Sequence, residues 1–564
     1  MGAVRASARA VAVRRTGPLP LSPWTVVVTL VALALAVPIV AVLSSLTRPR
    51  LEVWEHLWQT QLGELVTNTV LLLVGVGTGT LVVGTTLAWL IVGFRFPGRG
   101  VFEWALMLPL AVPAYVIGFA FLGLFDYAGP VQLALRRSLG EAARLPELRS
   151  YAGIVSVMTL VFYPYVYLLA RAAFREQGAA TMETARSLGH TPLRVFWEVM
   201  LPMARPSLVA GVSLAMMEAL ADFGTVATFG YRTLTEGIYR VWLGMFEREA
   251  AIQLASLLLL FAALLLALER ALRGRARFVQ SHRRGPGIIP RPLRGWRAGA
   301  ATLACALVLG VAFVLPVVQL LVWAREGAVA GRLPYGRLLA NTLVLASLAA
   351  AITAVLALVL VYAARLHPSR AVHAITRFVS MGYALPGSVI AVGVLIPVAL
   401  FDHALVGGLE RLLGRSLDLV VTGSATALLY AYVVRFLAVS TQTLEASLGK
   451  VPPSFDDAAR SLGAGVLGTL RRIHLPLMRG GVLTALVLVF VETMKEMPAT
   501  LLLRPFGFDT LAVSVWERTS ESLWGDAAVP ALTIVAAGLL PVFLAIRLSV
   551  ARAALGAGRR GEGA

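Results

Sequence analysis

The sequence predicts an all-α polytopic membrane protein with about 12 transmembrane helices, arranged as two parallel six-helix repeats. Composition, the number of long apolar stretches and an internal repeat support this class. Of the 564 residues, 58% are hydrophobic and only 14% are charged, whereas a soluble protein carries roughly 25% charged residues. This composition excludes a water-soluble enzyme. The single cysteine, Cys305, excludes disulfides and cysteine-based metal sites within one chain.

Apolar stretches long enough to cross a ~30 Å hydrocarbon core as helices occur throughout the chain. The first follows several arginines, but its apolar run is longer than the core of a signal peptide. We therefore interpret it as a retained membrane anchor. The predicted spans are 24–45, 65–93, 101–124, 150–170, 207–229, 251–269, 298–323, 339–364, 378–401, 419–434, 480–503 and 528–546.

The distribution of charge predicts the orientation in the membrane. The chain carries a formal net charge of +20, supplied almost entirely by arginine. With the N-terminus in the cytoplasm, the inner loops hold nearly all the excess positive charge and the outer loops are close to neutral, as the positive-inside rule requires. Both termini are therefore predicted to be cytoplasmic. No soluble basic domain with interleaved aromatic residues is evident in the sequence, so nucleic acid is not a predicted partner.

An internal repeat divides the chain into two similar halves. Asn68-Thr69 recurs as Asn341-Thr342, and Pro113 recurs as Pro386 at the same spacing. Tyr163 and Tyr430 lie slightly closer together and are interpreted as equivalent, with nearly compensating insertions and deletions. The arginine-rich segment 270–297, punctuated by glycine and proline, is the predicted connector. The predicted halves are 1–285 and 286–564, with cores of about 65–272 and about 339–550.

The strongest motif lies in a predicted cytoplasmic loop of each half. It combines an acid, a small residue, a glycine and a Leu-Pro pair at fixed spacing. Glycine tolerates the left-handed turn that ends a helix. The motif therefore predicts a short helix closed by glycine, a second short helix, and a proline that resets the chain before the next span. The residues are Glu183, Ala185, Gly189, Leu201 and Pro202 in the first half, and Asp457, Ala459, Gly463, Leu475 and Pro476 in the second.

This motif resembles the coupling-loop signature of inner-membrane permeases in binding-protein-dependent ABC importers of type I. The resemblance covers essentially the whole chain, although Thr184 and Asp457 stand where the family usually has Ala and Glu. The segments 163–171, 221–225 and 495–505 make the chain look most like fused ferric-iron permeases. Fused thiamine permeases share the architecture, so thiamine or another small cation stays open as the substrate.

The resemblance implies a permease that forms the translocation pathway in the cell inner membrane. Its implied partners are two ATPase subunits, which would carry ATP and Mg at their own sites, and an extracytoplasmic binding protein that delivers substrate. The sequence agrees that this chain lacks its own motor, because Gly449-Lys450 is not part of a phosphate-binding loop. No catalytic residues and no high-affinity metal site are expected, since the seven histidines are scattered. A secondary transporter and an intramembrane enzyme are the remaining alternative classes.

Two acidic pairs are the candidate pathway residues. Glu218 and Asp222 are one helical turn apart, and the repeat places Glu492 and Glu496 at equivalent positions in the second half, with Lys495 as the nearby cation. Ionisable groups in a span usually face the bundle interior or a wet cavity. Carboxylate oxygens suit a hard cation. The four acids are predicted either to line the pathway or to bridge neighbouring spans as structural contacts.

Prolines mark the third and ninth predicted spans. Pro109, Pro113 and Pro386 are expected to interrupt helical hydrogen bonding and expose carbonyl groups, which a membrane protein tolerates only against protein or a water-filled cavity. The alternative is that these prolines only kink their helices for packing.

Overall fold

Helices make up almost all of the computed structural model, which describes residues 23–47, 51–177, 191–273, 290–327, 334–367, 369–379, 382 and 385–561. Within these residues, 12 helices are long and apolar enough to cross a membrane. The prediction of an all-α polytopic membrane protein is confirmed.

The first half begins with a single span and continues into a helical bundle. Wider π-helical turns at Trp58–Leu62 and Phe196–Met200 join consecutive α-helices, and another at Arg240–Gly244 follows the α-helix Leu234–Tyr239. The helices are α1 (Pro23–Ser44), α2 (Leu51–Leu57), α3 (Gly63–Gly93), α4 (Arg99–Ala105), α5 (Ala114–Phe125), α6 (Pro130–Leu139), α7 (Tyr151–Glu176), α8 (Pro192–Val195), α9 (Leu201–Ala221), α10 (Gly224–Thr228), α11 (Leu234–Tyr239) and α12 (Arg248–Arg273).

The second half repeats this order. Strand β1 (Phe94–Arg95) pairs in parallel with β2 (Arg291–Pro292), which attaches the start of the second half to the end of α3. Wider turns occur at Gly310–Val314 and Leu470–His474. The helices are α13 (Trp296–Leu309), α14 (Leu315–Gly327), α15 (Tyr335–Leu366), α16 (Arg370–Val379), α17 (Gly387–Leu413), α18 (Ala425–Leu448), α19 (Ser454–Ser461), α20 (Val466–Thr469), α21 (Leu475–Lys495), α22 (Pro498–Leu503), α23 (Leu511–Ser520) and α24 (Trp524–Gly561).

The repeat is visible in equivalent helix ends. Helix α3 ends at Gly93 and α15 at Leu366, the same separation that relates Pro113 to Pro386. Ser150 and Ser424 cap the starts of α7 and α18 at a separation only one position longer. Tyr163 therefore corresponds to Leu437, and its predicted equivalence to Tyr430 is wrong, because no compensating insertion separates these helices.

Four predicted continuous spans are interrupted in the structure, including 378–401, where α16 ends at Val379 and α17 starts at Gly387. The span 101–124 consists of α4, a tight turn at Leu108–Ala111 and α5. The spans 207–229 and 480–503 each break after the long helix and restart as α10 and α22. Hydropathy could not reveal these breaks, because the residues on either side of each break are equally apolar.

The first span of each half packs against the opposite half. Helix α1 packs along α17, and α14 contacts α5 as well as α24 of its own half. Glycines allow these crossings: a Cβ at Gly393 would collide with the Pro38 carbonyl, and one at Gly123 with the Trp323 ring. The halves are therefore interlocked and not simply placed side by side.

The outside of the bundle exposes apolar side chains in helical stripes. Leu260, Leu264, Leu268 and Leu272 recur every fourth residue on α12 and are exposed. An apolar face of this kind requires lipid around it.

Candidate functional site

A cavity of about 100 Å³ lies where the two halves meet. All five predicted pathway residues line it, so the structure brings the two acidic pairs together. The charged residues around it are Glu218, Asp222, Arg435, Glu492, Lys495 and Glu496. The remaining lining is largely apolar and comes from α5, α7 and the restarts at α10 and α22.

Two carboxylates occupy equivalent helix breaks. Asp222 follows the last residue of α9, and its Oδ1 accepts a 2.7 Å hydrogen bond from the Thr225 amide at the start of α10. Glu496 follows α21, and its Oε1 accepts a 2.9 Å bond from the Ala499 amide in α22. Each carboxylate thus caps the helix that restarts after the break. The predicted pairs are one turn apart, but their second members lie at helix ends and not within a continuous span.

Lys495 connects the halves across the cavity. Its Nζ donates a 3.0 Å hydrogen bond to the Leu110 carbonyl and lies 3.5 Å from Glu492 Oε1. The Leu110 carbonyl lies in the tight turn before Pro113, where the helix between α4 and α5 is broken. Pro113 and Pro386 both precede a new helix, with ψ angles of 143° and 140°. The predicted interruption at these prolines is confirmed, and at Leu110 a carbonyl near the break contacts protein.

The sequence did not identify Arg435 as a site residue. The predicted tenth span, 419–434, ended one residue too early, whereas α18 runs to Leu448 and carries Arg435 into the cavity lining. Its Nη1 lies 2.8 Å from Glu496 Oε2; the Glu496 side chain is buried and that of Arg435 is 12% exposed. The sequence suggested Lys495 as the cation near the four acids; the structure adds Arg435 as a second cation. The repeat could have drawn attention to Arg435, because the equivalent residue of the first half is the apolar Val161.

Two tyrosines add polar groups at the same place. The Tyr115 side chain is 6% exposed and lines the cavity, and its hydroxyl has no hydrogen-bond partner within the residues that the structure describes. Buried hydroxyls of this kind normally bind water or a ligand. Tyr239 donates a 2.6 Å hydrogen bond to the Pro498 carbonyl and so joins the two halves directly. Across the described part of the chain, no three His, Cys, Asp or Glu side chains are arranged to hold a metal ion.

The second predicted coupling loop contains a short helix. Helix α19 covers Asp457 and the buried Ala459, and Gly463 follows with φ of +75°, which glycine adopts without strain. Asp457 is exposed and forms an ion pair with Arg460 in the same helix. In the first loop, Glu183, Ala185 and Gly189 lie outside the described residues.

The predicted break at the Leu-Pro pairs is wrong in both halves. Within the described residues, Pro192–Ala221 and Val466–Lys495 are each one helical run with a wider turn before the pair. The amides of Leu201 and Leu475 bond five residues back, to Phe196 and Leu470. Pro202 and Pro476 follow these wide turns, where a missing amide and a bulky ring are accommodated without ending the helix.

Comparison with known proteins agrees with this duplicated architecture. The family model for the binding-protein-dependent transport system inner membrane component matches residues 80–278 and 355–554. The chain belongs to this family. It is therefore a multi-pass inner-membrane permease of ABC importers, and the family describes a transport component and not an enzyme.

Similar proteins match either most of this chain or about a third of it. The chain is 29% identical to the Fe(3+)-transport system permease protein FbpB 2 of Haemophilus influenzae, over 92% of this chain and 97% of the relative. It is 24% identical to the putative ferric transport system permease protein FbpB 1 of the same organism, over 80% and 72%. The sulfate transport system permease protein CysT of Escherichia coli is 31% identical over 33% of this chain and 67% of its own length.

Proposed function

We propose that this permease carries ferric iron across the inner membrane, taking it from an extracytoplasmic binding protein. The near full-length similarity to FbpB 2 of H. influenzae supports iron over thiamine or another small cation. Two separate ATPase subunits, which hold ATP and Mg at their own sites, drive the cycle. Both termini are cytoplasmic, in agreement with the positive charge of the inner loops. The halves 1–285 and 286–564 contribute one module each.

The cavity between the halves is part of the translocation pathway. The observation that carries this proposal is the placement of four carboxylates around one space, with two of them at equivalent helix breaks. These are Glu218 and Glu492 within the long helices, and Asp222 and Glu496 at the breaks. Carboxylate oxygens are ligands that a hard cation accepts, and the Tyr115 hydroxyl adds a further oxygen. Arg435 and Lys495 offset part of the negative charge. A cavity of mixed charge passes a cation without holding it tightly, as transport requires.

The coupling loops connect this cavity to the ATPase subunits. Glu183, Ala185 and Gly189 with Leu201-Pro202, and Asp457, Ala459 and Gly463 with Leu475-Pro476, are the proposed contact segments. The helical run Val466–Lys495 supports this role, because it extends from the loop to Glu496 at the cavity. A displacement at the end of the loop, at Val466, therefore reaches the cavity along one helical run.

The pathway proposal is tested by Asp222→Asn in the permease assembled with its ATPase and binding protein in proteoliposomes. The amide keeps the oxygen that accepts from the Thr225 amide and removes the charge. We expect ATP-dependent ferric uptake to fall about tenfold or more, because a charged hydrogen-bonding group is worth roughly 1.5–3 kcal/mol. Asp418→Asn, at an exposed aspartate, is the matched control.

Three other results would contradict parts of the proposal. Unchanged uptake in the Asp222→Asn variant would leave the acids as structural contacts. Uptake of thiamine in place of ferric iron by the unaltered protein would overturn the proposed substrate. Uptake driven by an ion gradient without ATP would overturn the proposed energy source.

A further inference from the structure

Three polar residues meet at the base of the second coupling segment. Arg365 lies at the end of α15, Asp456 in the first turn of α19, and His474 at the end of the wide turn before α21. Arg365 Nε and Nη2 donate to Asp456 Oδ2 at 2.8 and 2.6 Å. His474 Nε2 lies 2.9 Å from the other carboxylate oxygen, Oδ1. The Asp456 carboxylate therefore bonds Arg365 and contacts His474, so α15, α19 and the wide turn before α21 meet at one group.

Arg365 also holds the connector that leads into α19. Its Nη1 donates to the carbonyls of Leu448 and Val451 at 3.1 and 3.0 Å, and its Nη2 to the Pro452 carbonyl at 3.3 Å. With the two bonds to Asp456, the guanidinium makes five hydrogen bonds, which matches its five N–H donors. The last turn of α18, the connector and the first turn of α19 are thus fixed to α15.

The cluster is partly enclosed by protein. The His474 side chain is 0% exposed, that of Arg365 is 16% exposed and that of Asp456 is 23% exposed. The Tyr362 ring packs edge-on against His474 at 5.4 Å, and its hydroxyl donates a 2.9 Å hydrogen bond to the Val466 carbonyl at the start of α20. A partly buried ion pair such as Arg365–Asp456 is screened less by salt than an exposed one. The contacts therefore restrict movement of α19 relative to α15 and α21.

The first half does not repeat this cluster. In the repeat, the residues equivalent to Arg365, Asp456 and His474 are Val92, Met182 and Met200. At the equivalent wide turn of the first half, Phe196–Met200, the Phe196 ring packs on Trp89 with ring centres 5.0 Å apart. Gln177 Nε2 donates a 3.0 Å hydrogen bond to the Met200 carbonyl. Among the described residues, the second coupling segment is thus held by an ion pair and the first by ring packing and a neutral hydrogen bond.

We propose that Arg365, Asp456 and His474 form a positioning clamp that makes the second coupling segment the more tightly coupled of the two. The inference rests on the proposed coupling role of residues 457–476. The clamp transmits a displacement of α19 directly to α15 and to the helical run Val466–Lys495, which ends next to Glu496. Arg365 is a positioning residue, because it acts through the helix and touches neither substrate nor nucleotide.

The test uses the full complex in proteoliposomes and measures ferric uptake per ATP hydrolysed. Arg365→Lys keeps the charge but offers one point donor in place of the planar fork. We expect ATP hydrolysis to continue while uptake per ATP falls about tenfold, within the roughly 5- to 150-fold range of allosteric coupling. His474→Met, which installs the residue of the first half, should act in the same direction.

Matched controls separate coupling from folding. Arg273→Lys alters a half-exposed arginine whose ion pair with Glu269 lies at another helix end, and it should leave uptake per ATP unchanged. Gln177→Met removes the hydrogen bond of the first half and should have a smaller effect than Arg365→Lys. Comparing Arg365→Lys with Arg365→Leu distinguishes the geometry of the guanidinium from its charge. If only the charge mattered, uptake per ATP would be normal in Arg365→Lys and reduced in Arg365→Leu.

The outcomes distinguish the clamp from the proposed function. Normal uptake per ATP in Arg365→Lys, in a complex whose unaltered form couples uptake to ATP, would overturn the clamp alone. An equal or larger loss in Gln177→Met would overturn the asymmetry. Failure of the unaltered permease to couple ferric uptake to ATP would overturn the proposed function, and the clamp with it.

Discussion

Arg435 and Val161 occupy equivalent positions in the two halves. Because of this difference, the equivalent cavity carboxylates Glu496 and Asp222 have different side-chain neighbours. Both Asp222 and Glu496 accept a hydrogen bond from a backbone amide, and Glu496 in addition has a guanidinium 2.8 Å away. Space for the guanidinium comes from Gly387, where the first half has Ala114. A Cβ at Gly387 would lie 2.6 Å from Glu496 Oε1 and would also collide with Arg435 Nη1.

Gly387→Ala should therefore destabilise the protein, although alanine is usually preferred in helices. The added methyl group displaces the buried ion pair, and overpacking of this kind costs about 1–3 kcal/mol. Thermal unfolding in detergent measures the change. Gly407→Ala in the same helix is the control, because nothing lies within 4 Å of its Cβ. If Gly387→Ala matches this control, the glycine does not serve the ion pair.

Helix breaks organise the cavity at the scale of elements. The restarts at α5, α10, α17 and α22 follow Pro113, Phe223, Pro386 and Met497, and three of these four helices contribute lining residues. A break places polar backbone and a capping carboxylate inside the membrane, where only protein or water can satisfy them. The cavity is the place where those groups are satisfied.

Accessibility along α5 tests whether its start faces the pathway. In a Cys305→Ala background, Ala114→Cys should react with a small cationic thiol reagent, because Ala114 lines the cavity. Ala120→Cys, six residues further and 0% exposed, should stay unreactive. Labelling is measured with and without ATP. Protection of both positions in every transport state would mean that the break serves packing only.

The sequence predicted the elements better than it predicted their ends. The repeat register located both acidic pairs, because mid-membrane carboxylates are rare and recur at one spacing. Hydropathy missed the break at Asp222 and placed Arg435 outside the membrane, since a window of apolar residues reports neither a capping hydrogen bond nor a buried ion pair. Asp456 was overlooked beside Asp457 for a similar reason: only tertiary contacts distinguish the carboxylate that faces Arg365 from the one that faces solvent.

At the scale of the whole molecule, the two halves depend on each other through their first spans. Helix α1 crosses onto α17, and Ser45 bonds Ser256 of α12 at 3.0 Å, so this span touches both halves. Composition predicted that a span exists here, but the hydropathy of α1 could not say which half it would contact. Close approach at Gly393 is the physical reason for the observed crossing.

Gly393→Val should loosen this crossing, because any Cβ there meets the Pro38 carbonyl and Val42. We expect a loss of about 1–3 kcal/mol, as for other overpacked contacts, seen as a lower Tm in detergent. Gly408→Val on the same helix, where nothing lies within 4 Å of the Cβ, is the matched variant. Equal Tm values for the two variants would contradict a packed crossing.

The crossing of α1 also dictates an order of biosynthesis. The ribosome completes α1 at Ser44, but its partner α17 begins only at Gly387, well past the middle of the chain. At about 5–20 residues per second, synthesis of the intervening chain takes roughly 20 to 70 s. During that interval the newly inserted α1 has no docking surface from the second half. Its 22 residues contain no charged side chain, so it can wait in the bilayer as a lone helix until the rest of the chain arrives.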